Sequence, residues 1–294
     1  ELLDSHTRAG SHRRYGSLAE DFRKTILREL DFKLEARNLR RFAKNLAHFP
    51  HVRVPRHYHD FTGPRVLTME YIKGRRISTL SPLPQDKIDG EELANELLRA
   101  YLKQIVLDGF FHADPHPGNI LITEQGEVAL LDLGIVGYIS EDLKDSLLKI
   151  IVAVSENDGD KVVNQAMRIS EKCDDCNEPR FRREINELVA EQQNRTAADY
   201  NMGRVMLDVA KASRRNGFII PAELTVLGKT LLMLDQVGHQ LAPRFDPNTS
   251  IRKNAVSLLQ QRMTKTISFG TFMNSVMETK EFLTKMPERA NRLL

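Results

Sequence analysis

The chain of 294 residues has no tryptophan and only two cysteines. It also lacks any apolar run near the ~18 residues that would cross a bilayer as a helix. Two cysteines cannot build a disulfide framework, so a small disulfide-stapled secreted fold is excluded and a reducing compartment is expected. With no long apolar stretch and no signal-like N-terminus, the expectation is a soluble, cytoplasmic protein whose only membrane contact would be peripheral. Charge of one sign is also scarce: 43 Lys and Arg against 40 Asp and Glu leave +3, too little to argue for a nucleic-acid partner. The excess is concentrated early, with thirteen Lys or Arg against eight Asp or Glu in the first sixty residues, a balance that weakly suits an anionic ligand or lipid surface. The chain begins at Glu1 rather than Met, which suggests a piece of a longer protein. What is present, 41% hydrophobic and 28% charged residues, is enough for one large domain or two lobes.

Residues 17–48 carry Leu18, Phe22, Ile26, Leu27, Leu30, Leu34 and Leu39 at mostly three- and four-residue steps without Gly or Pro, which predicts one long amphipathic helix. "HVRVPRHYHD" and "PRVLTMEYIKG" then read as short strands bounded by Pro and Gly. A second helix is expected over 91–109, closed by Gly109. From Glu141 onward the periodic segments are helical: 141–155, 159–172, 178–193, 199–215, 221–240 and 250–264. The fold class is therefore α+β, with a small lobe of helix and short antiparallel strands over 1–77, a large helical lobe over 78–246 and a helical extension over 247–294. The lobe boundary is placed in "STLSPLPQD" at 78–86.

The chemistry-bearing stretch is "FFHADPHPGNILITEQGEVALLDLG", residues 110–134. "ILIT" and "VALL" are β-prone runs joined by the polar, Gly-containing "EQGE", as in a hairpin. Asn119 precedes the first strand and Asp132 follows the second, so antiparallel pairing sets them side by side. An amide oxygen and a carboxylate there suit a hard cation such as Mg2+ that also takes phosphate oxygens. Asp114 lies on the loop feeding the same strand and could act as a base or orienting group, while Gly134 would let the backbone turn beside a ligand. Asn and Asp are also ordinary turn residues. The ordered set of H-x-D, Asn five residues after the Asp, hairpin and D-x-G nonetheless matches a kinase catalytic loop and its metal aspartate.

With "HADPHPGN", "LLDLG" and the upstream "RELDFKLEARN", the chain resembles the UbiB/AarF family of atypical kinases, from about residue 17 to about residue 246. The resemblance implies a protein-kinase-like fold, ATP and Mg2+ as cofactors, and a role in ubiquinone or other prenyl-lipid metabolism. It places Asp114 at the catalytic-loop aspartate, Asn119 and Asp132 at the metal ligands, and Glu35 at the helix glutamate that pairs with a small-lobe lysine. It places Glu29 and Asp31 in an E-x-D signature covering the nucleotide site; read alone, all three acids are surface charges on a helix. "VLTMEYIKG" resembles a hinge, in which the backbone of Glu70 and Ile72 would bond adenine with Met69 behind it. Two departures matter. Ala113 replaces the Arg used to sense a phosphorylated activation loop, and no A-P-E segment builds a peptide platform, so a small molecule or prenyl lipid, or plain ATP hydrolysis, suits the site better than a protein substrate. The family's nucleotide loop, strand lysine and K-x-G-Q signature are not found before Glu29, and Lys24 sits in the wrong place. The alternative reading is an inactive nucleotide-binding scaffold for a lipid-biosynthesis complex. Oligomeric state is not legible.

Weaker signals remain. Cys173 and Cys176 form a lone C-x-x-C, half a zinc site or a redox pair, which the lack of a second pair and the helix-to-loop setting disfavour. His112 and His116 flank Asp114 and invite a metal-hydrolase reading, which the rigid, Pro-containing loop disfavours. His51, His57 and His59 read as surface residues. Phe269, Phe272, Met273, Val276 and Met277 share a helical face that would pack on the helical lobe or lie on a membrane.

Overall fold

A computed structural model describes residues 31–79, 89–193 and 201–254, with positions 257, 258 and 261. Its first element is α1 (Phe32–Asn45). The expected helix over 17–48 begins, in its described part, only at Phe32, because the Asp31 side chain caps it by accepting the Lys33 N–H at 3.1 Å. Leu39, Phe42 and, just beyond the helix, Leu46 are fully buried, each removing apolar surface worth roughly 1.5–3 kcal/mol. The two segments expected as strands supply little regular sheet: β1 (Val52–Arg53) and isolated bridges at His57–Met69 and Gly63–Val66. Pro55 and Pro64 remove ladder donors from both runs, which explains the deficit.

Past the hinge-like segment, β2 (Gly74–Arg76) pairs antiparallel with β4 (Ile120–Thr123), which pairs with β5 (Val128–Leu130), which in turn pairs parallel with β1. The sheet order is thus β1-β5-β4-β2. α2 (Gly90–Lys103) is capped by Asp89, whose carboxylate accepts from Glu91 and Glu92 N–H at 3.0 Å each. It runs into one π-helical turn, Gln104–Asp108, and stops at Gly109, where φ is +61° and a Cβ would meet the Ile139 carbonyl at 2.7 Å. There β3 (Phe110–His112) begins and pairs with β6 (Val136–Tyr138), bracketing the catalytic-loop sequence between them.

The rest is helical: α3 (Glu141–Ser155), α4 (Gly159–Arg168), α5 (Glu178–Gln193), α6 (Met202–Arg215) and α7 (Ala222–Leu241). The helix expected over 159–172 ends at Arg168 because residues 171–172 form β7 (Glu171–Lys172), paired with β8 (Phe218–Ile219). Tertiary pairing there overrides local helical periodicity. One apolar core runs through α1, α2, β3 to β5 and all the later helices. A second, small cluster of Ile72, Leu121 and Ala129, with Leu131 against it, stands apart between the hinge-like segment and the hairpin.

Candidate active site

The hairpin does what its sequence dictates. Ile120 faces Leu130 across the ladder, and the Leu131 N–H donates to the Asn119 carbonyl at 3.0 Å. Asn119, one residue before Ile120, and Asp132, two residues beyond Leu130, are thereby adjacent: Asn119 Nδ2 lies 3.3 Å from Asp132 Oδ2. The other Asp132 oxygen accepts the Gly134 N–H at 2.9 Å. Gly134 has no left-handed torsion; what its position limits is space, since a Cβ would stand 3.3 Å from Asp132 Oδ1.

Asp114 opens the loop between β3 and β4. The loop is rigid by its own bonds: His116 N–H to the Asp114 carbonyl at 2.7 Å, Asn119 N–H to the His116 carbonyl at 2.9 Å, and Gly118 N–H to His116 Nδ1 at 3.1 Å. A 3-10 turn, Pro117–Asn119, completes it. His116 is therefore a turn-builder here. His112 is buried beneath the site, T-shaped against Phe42, and burial pulls its pKa down to about 4 against the smaller opposing pull of the Ile135 carbonyl and the Asp132 and Asp114 charges. It is neutral at physiological pH, an internal support.

Glu35 points from α1 towards the same place. Its carboxylate accepts the Leu133 N–H at 3.4 Å, and its pKa is raised, first by burial and then by the Asp132 charge. Asn38, one turn on, donates to the Leu133 carbonyl at 2.8 Å. Both backbone polar groups of Leu133, the residue following Asp132, are thus held by one helix. The sequence reading missed Asn38, although the three-residue step from Glu35 sets the two on one face. It also missed Gln104, whose buried side chain accepts the His112 N–H at 3.0 Å, and Thr230 of α7, whose hydroxyl donates to the Ala113 carbonyl at 3.0 Å. Each lies far in sequence from its partner or looks like an ordinary polar helix residue.

The hinge-like segment is tied to its neighbours by its own bonds. The Glu70 N–H is taken by the Arg56 carbonyl at 2.7 Å, and Met69 is bridged to His57. The Glu70 side chain is bound to Arg53 at 2.7 Å, and Arg53 also reaches Glu127 at 3.0 Å. Among the described residues, the Glu70 carbonyl and the Ile72 N–H have no hydrogen-bond partner, and the Ile72 side chain belongs to the small apolar cluster. Asp31 serves as the α1 cap. Glu29 and the apolar face at 269–277 lie outside the described residues, as does the expected boundary at 80–86. His51 is held by Glu96 at 2.7 Å, and Cys173 and Cys176 are free thiols. Among the described residues no helix is long and apolar enough to cross a membrane.

Comparison with known proteins meets this geometry from another side. The ABC1 atypical kinase-like domain family matches residues 3–166, and the UbiB helical domain family matches residues 185–246. A Shewanella baltica protein named "Probable protein kinase UbiB" is 30% identical over 100% of this chain and 52% of its own. The chloroplastic ACTIVITY OF BC1 COMPLEX KINASE 8 of Arabidopsis thaliana is 28% identical over 86% of this chain and 37% of its own. Among solved structures, the Rv3197–erythromycin complex from Mycobacterium tuberculosis matches at 22% identity and TM-score 0.48, covering 78% of this chain and 62% of that one. The chain spans about half, or less, of the length of these curated relatives. With more than half of its residues matched by the first family and the following helices by the second, this chain belongs to the ABC1/UbiB family of atypical kinase-like proteins and has their α+β, kinase-like fold.

Proposed function

We propose that the chain carries the metal and hinge half of an ATP- and Mg2+-dependent kinase or ATPase of the UbiB type, acting in ubiquinone or other prenyl-lipid metabolism. The observation that carries the reading is the 3.3 Å approach of Asn119 to Asp132 at the open end of the hairpin. One carboxylate and one amide oxygen form a donor set suited to Mg2+, which keeps waters and phosphate oxygens for its remaining positions. The amide nitrogen faces Asp132 in this structure; amide orientation follows its network, and the oxygen is the ligating atom when a cation is bound. Bound there, Mg2+ would neutralise phosphate charge.

The chain's own residues supply the rest. Asp114, fixed by its loop, would orient or deprotonate an acceptor hydroxyl. Glu35 ties α1 to the segment carrying Asp132. The Glu70 carbonyl and Ile72 N–H offer an acceptor and a donor to an adenine edge, and Ile72, Leu121, Ala129 and Leu131 offer an apolar bed for its ring. Ala113 and the absence of a peptide platform favour a small-molecule or prenyl-lipid acceptor, or water, reached in the cytoplasm or at a membrane surface.

The test is thermal unfolding of the chain and of Asp132→Asn with and without Mg-ATP. A ligand present at one hundred times its Kd stabilises the folded state by about 2.7 kcal/mol. A rise confined to the parent supports the reading; an equal rise in Asp132→Asn overturns it. A second reading is a nucleotide-binding scaffold without turnover, which uses the same pocket. Phosphate release from Mg-ATP by the parent, lost in Asp114→Asn, decides against it.

A further inference from the structure

α1 has a second charged face. At about 100° per residue, Lys33, Arg37 and Arg40 lie on the side opposite Glu35 and Asn38. Together with His57 and His59, from the loop facing the helix, they line a cavity of about 300 Å³. The three cations are exposed, and among the described residues none has an ion-pair partner. Three other helical cations are paired at the same spacings: Lys149 with Asp145, Lys161 with Asp158, Lys211 with Asp208. Like charges three and four residues apart cost helix stability, a cost that bound negative charge would relieve.

Among the described residues, the nearby acids do not provide that charge. The Asp31 carboxylate lines the cavity but accepts the Lys33 N–H as the helix cap. Asp60 reaches only His59, at 3.5 Å, and both are exposed. His57 is depressed in pKa by burial first and then by the positive charges of Arg40 and His59. The N-terminal end of α1 adds its partial positive charge. Guanidinium groups in a concave, cationic site suit the oxygens of a phosphate group.

We propose that this cavity is a binding site for a phosphate-bearing anion, separate from the Asn119–Asp132 site and on the opposite face of the helix that holds Leu133.

The experiment is isothermal titration of the 294-residue chain with inorganic phosphate at constant ionic strength in chloride. It is repeated on Arg37→Glu/Arg40→Glu, on the milder Arg37→Gln/Arg40→Gln, and on Lys149→Glu/Lys211→Glu, which makes the same change in net charge on other helices. The expected result is saturable binding by the parent and by the Lys149/Lys211 variant, about tenfold or more weaker in the charge-reversed cavity variant, with every variant still folded and unfolding cooperatively in phosphate-free buffer. Asp132→Asn binds phosphate as the parent does, which keeps this result independent of the proposed metal site. Cosedimentation with phosphatidylcholine vesicles, with and without phosphatidic acid, identifies the source. Capture by the acidic vesicles that the cavity variants lose assigns the phosphate to a lipid headgroup; phosphate binding without vesicle capture assigns it to a soluble compound. No binding above matched chloride, or equal weakening by the Lys149/Lys211 variant, overturns the proposal.

Discussion

Asn38 donates to the Leu133 carbonyl across 2.8 Å, and through that bond α1 grips the peptide next to the candidate metal ligand Asp132. Glu35 accepts the N–H of the same residue at 3.4 Å. Asn38→Ala leaves a carbonyl unpaired next to the fully buried Leu133 side chain. A loss of about 1–3 kcal/mol in urea unfolding is expected, together with a smaller Mg-ATP-induced rise in midpoint. A full loss of the hydrogen bond with no change in either measurement would show the grip to be incidental.

Thr230 supports the loop that carries Asp114 from the other side. Its hydroxyl bonds the Ala113 carbonyl at 3.0 Å, one residue before Asp114. Thr230→Val keeps the shape and removes the donor, so a cost of about 1 kcal/mol is expected. The functional consequence should be a lower rate of phosphate release at saturating Mg-ATP with nucleotide affinity retained, because Asp114 is displaced while Asp132 is not.

The hairpin was legible because two short apolar, β-prone runs flank the polar, Gly-containing "EQGE", and their antiparallel pairing brings Asn119 near Asp132. Helix limits at 141–155 and 178–193 were legible from periodicity. The α1 start was not, since Asp31 acts as a cap only once the chain bends there, and an acid amid "RELDFKLEARN" reads as one more surface charge. Thr230 and Gln104 were hidden for a different reason: their partners are carbonyl and amide groups, which every residue has and no pattern marks.

Gly203 sits where α6 and α7 approach most tightly: a Cβ there would lie 2.1 Å from the Leu232 nitrogen and 2.5 Å from the Gly228 oxygen. Both neighbours are helix backbone and cannot swing aside. Gly203→Ala is expected to cost about 1–3 kcal/mol, the usual range for forced overpacking, read as a lower denaturant midpoint with unchanged slope.

His112 gives a pH signature. Its folded-state pKa is depressed from 6.5 to about 4 by burial, so its contribution is full above pH 6.5 and is lost as pH falls towards 4. The loss amounts to about 3 kcal/mol. Asp235, raised to about 6 by burial, acts with the opposite sign over much of this window. The informative quantity is therefore the difference between the parent and His112→Asn, whose stability curves should converge as the medium is acidified from pH 7 to pH 4. Parallel curves would mean that His112 titrates normally.

The parallel pairing of Val52 with Val128 has a kinetic consequence. It joins a two-residue strand near the start of the described chain to the far strand of the hairpin, and β2 closes the other edge of the same sheet. Neither contact can form until the intervening α2 and the catalytic loop have been gathered in, so the ends of a long loop must meet before the sheet gains any stability. Ordering of this sheet should then be a late, slow event in refolding, and a recovered ability to bind Mg-ATP would report that the chain had reached its final topology.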